Sequence, residues 1–169
     1  PEIKDSKKCT EKHRNKCFDY IKEHSISYSI QFIDNDEIDK DNILSCSIDA
    51  MHRCLDDIST KKQFNSILVD GNKFKTYYDS EQDEFINHIC VIKGDNYYKS
   101  IAAASILAKT ARDNYILQLV KDNPELEKYG IQKNKGYGTK EHMEAIEKYG
   151  ITKWHRKSFA PCKDYVNQN

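Results

Sequence analysis

Three features of this sequence predict an α/β fold. Two short apolar runs, Ile67 to Val69 and Ile89 to Ile92, each lead into a turn that carries an aspartate, Asp70-Gly71-Asn72 and Gly94-Asp95-Asn96. Ahead of the first run, Leu44, Ile48, Met51, Leu55 and Ile58 recur at spacings of four, three, four and three, the period of a helix that buries one face. Behind the second, Ser100 to Val120 is rich in alanine and long aliphatic residues and reads as a long helix. Strands alternating with helices make an α/β domain.

Taken in order, the chain first shows a helix capped by Thr10, with Glu11 in its first turn, Cys17, Phe18 and Ile21 on one face, and an end near His24 or Ser25. Ser27 to Ile33 alternates small or polar residues with apolar ones, the period of a half-buried strand. Asp34 to Asp41 reads as an acidic connection, and Asp41 or Asn42 can cap the amphipathic helix that follows. The polar face of that helix, with Asp49, His52, Arg53 and Asp56, is expected to be solvated. Lys73 to Glu84 has neither period and is expected to be a surface loop, its carboxylates Asp79, Glu81, Asp83 and Glu84 solvated rather than metal-binding.

In the alanine-rich helix, Ala102, Ala103, Ala104 and Ser105 permit close backbone approach and are expected to pack on the sheet. Asn123-Pro124 opens a short helix that closes at Tyr129-Gly130. Asn134 to Thr139 (NKGYGT) is a glycine-bracketed turn, and Thr139 caps a helix running through Met143 and Ile146 to Tyr149-Gly150. A basic, aromatic stretch, Trp154 to Phe159, follows.

Length and charge limit the possibilities. The 169 residues suit one domain with a real core, expected over 1–169. Lys plus Arg and Asp plus Glu are 27 each, so a nucleic-acid face would have to come from uneven placement of charge. No apolar run approaches the ~18 residues of a membrane span, which points to an intracellular, cytoplasmic protein. Cys9, Cys17, Cys46, Cys54, Cys90 and Cys162 lack CxxC or finger spacing and read as free thiols.

Asp70 and Asp95 end two strands, and carboxylates held rigidly in such turns suit Mg²⁺ or Mn²⁺. Asp-Gly is equally a common turn dipeptide, so each aspartate can also be purely structural.

The segments DSKKCTEKHR, DEIDKDNILSCSIDAMHRC, ILVDGNK, VIKGDNYYKSIAAASILAKTARD, NKGYGTKEHMEAIEKYG and HRKSF add to this reading. In order and approximate spacing they resemble type 2 ribonuclease H, the ribonuclease HII family, over nearly the whole chain, and the DGNK form is similar to bacterial members. The resemblance implies a ribonuclease H-like mixed sheet flanked by helices, with a C-terminal helical extension. It also implies an endonuclease that hydrolyses the RNA strand of RNA/DNA hybrids, incises duplex DNA at embedded ribonucleotides and leaves 5′-phosphate ends. In the family four carboxylates hold two Mg²⁺ or Mn²⁺ ions. Asp70 matches the third and Asp95 the fourth.

Tyr137 matches the tyrosine that stacks on the sugar at the DNA side of the junction. A flat ring there leaves no room for a 2′ hydroxyl. Lys7, Lys109, Lys135 and Arg156 are candidate phosphate contacts, Arg156 being alternatively a structural partner for a carboxylate. His142, His155 and Asp113 read as structural. The implied partners are an RNA/DNA hybrid or ribonucleotide-containing duplex, and the protein is expected to act as a monomer in DNA replication and repair.

The family's Gly-x-Asp-Glu-x-Gly-Arg-Gly motif, with its first two metal ligands, is not among these residues. The chain is therefore expected to be the C-terminal part of such an enzyme, inactive alone, with no neighbour for the Ser27–Ile33 strand. Two alternatives stand beside this: a catalytically dead domain that binds hybrids, and an α/β domain whose carboxylates only shape turns.

Overall fold

A computed structural model describes residues 1–166 as two compact units. The first comprises Pro1–Phe32 and Ser47–Ala111; the second comprises Ile33–Cys46 and the chain from Arg112 onward.

The first unit is built on a three-stranded mixed sheet. Strands β1 (Ser66–Asp70), β2 (Tyr77–Asp79) and β3 (Glu84–Val91) lie in the order β1-β3-β2. β1 runs parallel to β3 with Val69 opposite Cys90 and Asp70 opposite Val91, and β2 pairs antiparallel with β3. Alternation along β1 sends Ile67 and Val69 to one face, where they form a core with Tyr77 and Ile86. Met51 and Leu55 from helix α3 (Ile43–Ser59) pack against that core, which is why the four-three spacing of α3 exists.

Helix α1 (Glu11–His24) starts where Thr10 accepts a hydrogen bond from the His13 amide, as expected. Cys17 and Ile21 form a second core with Ile106 and Leu107 of helix α4 (Lys99–Asp122), and Ala103 packs against it. Of the small-residue stretch, Ala103 thus joins a helix-helix core with α1, and Ala104 is exposed rather than packed on the sheet.

Three further expectations are corrected. Ser27 to Ile33 forms no strand. The alternation is present, but a strand exists only where a second one supplies ladder partners, and none among the described residues does so here. Asp34 to Asp41 is not a bare connection: Asp34 accepts from the Glu37 amide and starts helix α2 (Asn35–Asp41). Lys73 to Glu84 contains β2, and Asp79 at its end is wholly buried.

Nor is the polar face of α3 simply solvated. Tyr77 donates its hydroxyl hydrogen to Asp56 at 2.9 Å, and the His52 ring sits edge-on to Phe74 and Tyr77. That bond to a carboxylate, with burial acting first, raises the Tyr77 pKa.

The second unit is helical. A 3₁₀ turn over Pro124–Tyr129 leads through Gly130 into α5 (Ile131–Asn134), then α6 (Lys140–Tyr149) and α7 (Cys162–Val166). Thr139 caps α6 through the His142 amide, as its position predicted. Val120, Leu126, Tyr129, Ile131, Ala145, Ile146 and Cys162 make its core. All six cysteines are free. No helix among the described residues is long and apolar enough to cross a membrane.

Candidate active site

The candidate residues fall into two sets, one in each unit. In the first, parallel pairing of β1 with β3 brings the two aspartate turns together at one end of the sheet. Asp70 is the last residue of β1, is exposed, and accepts the Gly94 amide through Oδ1 at 2.9 Å. The Gly71 amide in turn donates to the Val91 carbonyl at 3.0 Å. Gly94 opens the 3₁₀ turn Gly94–Asn96 that carries Asp95, so the Asp70 carboxylate is tied to the backbone beside the second aspartate. The turn is closely packed: a Cβ at Gly94 would lie 2.6 Å from the Ile101 Cδ1 methyl and 3.3 Å from Val91 Cβ.

Asp95 is half-buried, and its Oδ1 accepts from the Asn96 side-chain amide at 3.0 Å. A run of polar contacts continues outward. Lys8 Nζ donates to Asn96 Oδ1 at 2.7 Å and lies 3.8 Å from the Asp5 carboxylate. Asp5 caps the 3₁₀ turn Ser6–Lys8 by accepting the Lys7 amide at 2.9 Å. Ser6 and Ser105 share a hydroxyl bond at 2.9 Å, and Lys99 donates to the Ile3 carbonyl at 2.7 Å, which pins this N-terminal stretch to the start of α4. Lys7 is left exposed on that turn, and Lys109 is half-buried on α4.

The donor set suits a hard divalent cation, since both groups offer carboxylate oxygens and Asp70 is exposed with only Oδ1 committed to Gly94. Mg²⁺ is commonly held by one or two carboxylates, with water and substrate phosphate completing its shell. Among the described residues, no group of three or more His, Cys, Asp or Glu side chains could hold an ion. Two carboxylates leave the rest of any ion's coordination shell to other ligands.

In the second unit the NKGYGT turn presents Tyr137, 56% exposed. Lys135 and Gly136 both have positive φ, 52° and 76°. Asn134 anchors this bend, donating to the Tyr129 carbonyl at 2.9 Å and accepting the Gly136 amide at 2.8 Å. Lys135 Nζ donates to the Gln132 carbonyl at 2.7 Å, so its ammonium is partly engaged with its own turn.

Among the described residues no ion pair joins Arg156 to a carboxylate; its guanidinium lies 3.9 Å from the Phe159 ring centroid. Burial, then the neighbouring Arg112 charge, lowers its pKa. The carboxylate nearby, Asp39, binds the backbone instead, accepting the amides of Lys157 at 2.7 Å and Ser158 at 2.9 Å, and the Ser158 hydroxyl at 2.5 Å. Burial pushes the Asp39 carboxyl up, but these bonds outweigh it and hold the pKa below the usual range.

His142 and His155 are buried, with ring centroids 5.4 Å apart. Burial, followed by His142 beside it, takes His155 down to about 4. His155 Nδ1 accepts the Thr152 amide at 3.0 Å, which makes it a structural group.

Sequence reasoning missed Asn96, Lys8, Arg112 and Asp39. Lys8, Arg112 and Asp39 work through contacts distant in sequence, whereas Asn96 donates to the adjacent Asp95 and is itself held by the distant Lys8.

Comparison with known proteins converges on one family. The family profile described as Ribonuclease HII matches residues 1–162. Ribonuclease HII of Christiangramia forsetii is 48% identical over 164 residues, covering 97% of this chain and 77% of that protein. The protein of the same name from Parabacteroides distasonis is 44% identical over 94% of this chain and 74% of its own length. A crystal structure of the ribonuclease H2 from Pyrococcus horikoshii OT3 superposes with a TM-score of 0.76 over 98% of this chain and 81% of that one, at 21% identity, so the fold is shared. Profile and relatives together place this chain in the ribonuclease HII family, a family of ribonuclease H enzymes.

Proposed function

We propose that this chain carries part of an endonuclease site for RNA/DNA hybrids and for duplex DNA with an embedded ribonucleotide. Asp70 and Asp95 are its metal carboxylates, and Tyr137 is its junction-sensing ring. The single observation that supports this most is the bond from the Gly94 amide to Asp70, which joins the ends of two parallel strands and sets both carboxylates at one end of the sheet.

Asp70 and Asp95 would hold a Mg²⁺ or Mn²⁺ ion, which when bound polarises the scissile phosphate and lowers the pKa of water. The chain's own part is to orient. Asp70 is held through Oδ1 by the Gly94 amide, and Asp95 is steadied by Asn96, itself held by Lys8. Lys7, Lys109, Lys135 and Arg156 supply positive charge for backbone phosphates, the sequence-independent part of affinity. Tyr137 stacks on the sugar at the DNA side, where a 2′ hydroxyl does not fit.

A second reading needs only the exposed Tyr137 ring, which can meet nucleic acid without a metal. In that reading the chain binds hybrids without cleaving them. Incision of a duplex carrying one ribonucleotide, with Mg²⁺ or Mn²⁺, the family's Gly-x-Asp-Glu-x-Gly-Arg-Gly segment supplied, and an Asp70→Asn control, separates the two. Cleavage lost in the control supports the endonuclease. Binding without cleavage supports the second reading, and neither binding nor cleavage sinks both.

A further inference from the structure

Arg112 of α4 belongs to no role described above, yet it meets the tyrosine turn at both its backbone and its ring. Its Nη2 donates to the Lys135 carbonyl at 2.9 Å. Its Cζ lies 5.0 Å from the Tyr137 ring centroid, within cation-π range. A Cβ at Gly136 would sit 3.8 Å from Nη2, so the guanidinium runs alongside the bend. Nη1 is buried without a hydrogen-bond partner and lies 3.9 Å from the Asp113 carboxylate.

These contacts address a specific weakness of the turn. Lys135 is a non-glycine residue in the left-handed region, a conformation that persists only when its surroundings impose it. Asn134 secures the start of the bend through the Tyr129 carbonyl and the Gly136 amide. The Lys135 carbonyl and the tyrosine ring itself are secured by one planar guanidinium. A lysine ammonium could serve either point but has no fork to serve both.

We propose that Arg112 is a positioning residue, fixing the Tyr137 ring so that its exposed portion meets the nucleic-acid sugar in one orientation, and thereby setting discrimination between ribonucleotide-containing and all-DNA duplexes. This rests on the reading of Tyr137 as the junction-sensing ring. Arg112 itself need not touch substrate.

The test is a double-mutant cycle on binding, read by fluorescence anisotropy with two labelled duplexes: one with a single ribonucleotide, the other all DNA. Variants are Arg112→Met, Arg112→Lys, Tyr137→Ala and the Arg112→Met/Tyr137→Ala double, each checked by circular dichroism. Arg112→Met is expected to reduce the preference for the ribonucleotide duplex by about tenfold, from losing a cation-π contact and a hydrogen bond. Arg112→Lys should restore less than half of it. In the Tyr137→Ala background, Arg112→Met should change the preference no further.

Equal losses on both duplexes would show that Arg112 merely contributes charge, and additive losses would show that it acts independently of Tyr137; either overturns the proposal. A misfolded Arg112→Met leaves Arg112→Lys to decide, and full preference in Arg112→Lys overturns it. No effect of Tyr137→Ala, or no preference in the unaltered protein, removes the Tyr137 reading and this role with it.

Discussion

Two aspartates of the same sheet each end a strand and have opposite fates. Asp79 ends β2 and is fully buried, accepting from the Ser59 hydroxyl at 2.5 Å, the Glu81 and Gln82 amides at 3.0 and 3.4 Å, and the Gln82 side chain at 2.7 Å. Asp70 ends β1, is exposed, and is bonded through Oδ1 to the Gly94 amide. A carboxylate whose oxygens are saturated by the fold has nothing left for a ligand. One that is aimed by a single backbone bond and open to solvent is held in place yet available. Position at a strand end therefore does not tell the two apart, whereas the state of their lone pairs does.

The largest expected effect lies in activity. Asp70→Asn keeps an oxygen for the Gly94 amide but loses the charge a divalent ion needs, so incision at a ribonucleotide by the active enzyme should fall below detection while the fold persists. Asp79→Asn, with no ligand role, should leave the turnover of folded enzyme unchanged. Reversal of these two outcomes in a single-turnover assay would overturn the assignment.

The next effect lies in stability. Asp79→Ala strands the Ser59 hydroxyl and the Gln82 donors in a buried site, which should cost about 3 kcal/mol. A fall in the urea midpoint at unchanged slope would measure it. A loss under about 0.5 kcal/mol would show that water or neighbouring groups replace the carboxylate.

Acid dependence should follow the same division. Burial pushes the Asp79 carboxyl up, but its bonds to Gln82, Ser59 and the Glu81 amide outweigh burial and leave its pKa below the ordinary value. A carboxyl depressed in the folded state stabilises it above the unfolded-state pKa, about 3.9, and that contribution is lost as pH falls through the folded value. Stability of the unaltered protein should thus decline in acid more steeply than that of Asp79→Asn, as measured by denaturant titrations at stepped pH. Equal slopes would show that Asp79 is not a source of acid lability.

This pair also shows what could be read from the sequence. The Thr10 and Thr139 caps, the period of α3, and the strand-turn signals at Asp70 and Asp95 are local, and each was legible. β2 was not, because a three-residue strand carries too little alternation to see. Asp79 looked like one more acid of a solvated loop, since Ser59 lies twenty residues before it and only the closed sheet brings the two together. Asp34 to Asp41 hid a helix because Ile38 is its one large apolar residue and its polar composition resembles a linker. Asp39 was invisible as the acceptor of the Lys157 and Ser158 amides for the same reason as Asp79: the contact spans 118 residues or more. Of the site itself, identities came from motifs, while the Gly94 bond that sets the Asp70 carboxylate had no sequence signal beyond a glycine in the expected place.

The smallest expected effect is the most decisive for the comparison. Asp70→Asn exchanges one acceptor oxygen for another at an exposed position, so its bond from Gly94 survives and stability should change by no more than about 0.5 kcal/mol. The urea midpoint at neutral pH measures this directly, alongside Asp79→Asn as the buried counterpart. If Asp70→Asn proved as costly as Asp79→Ala, the bond to Gly94 would be what the carboxylate is for, and Asp70 would join Asp79 as a turn-shaping residue. A neutral or slightly stabilising result has the opposite meaning. A charge that contributes nothing to the fold, held by one backbone amide beside a second carboxylate turn, is kept for something the fold does not supply.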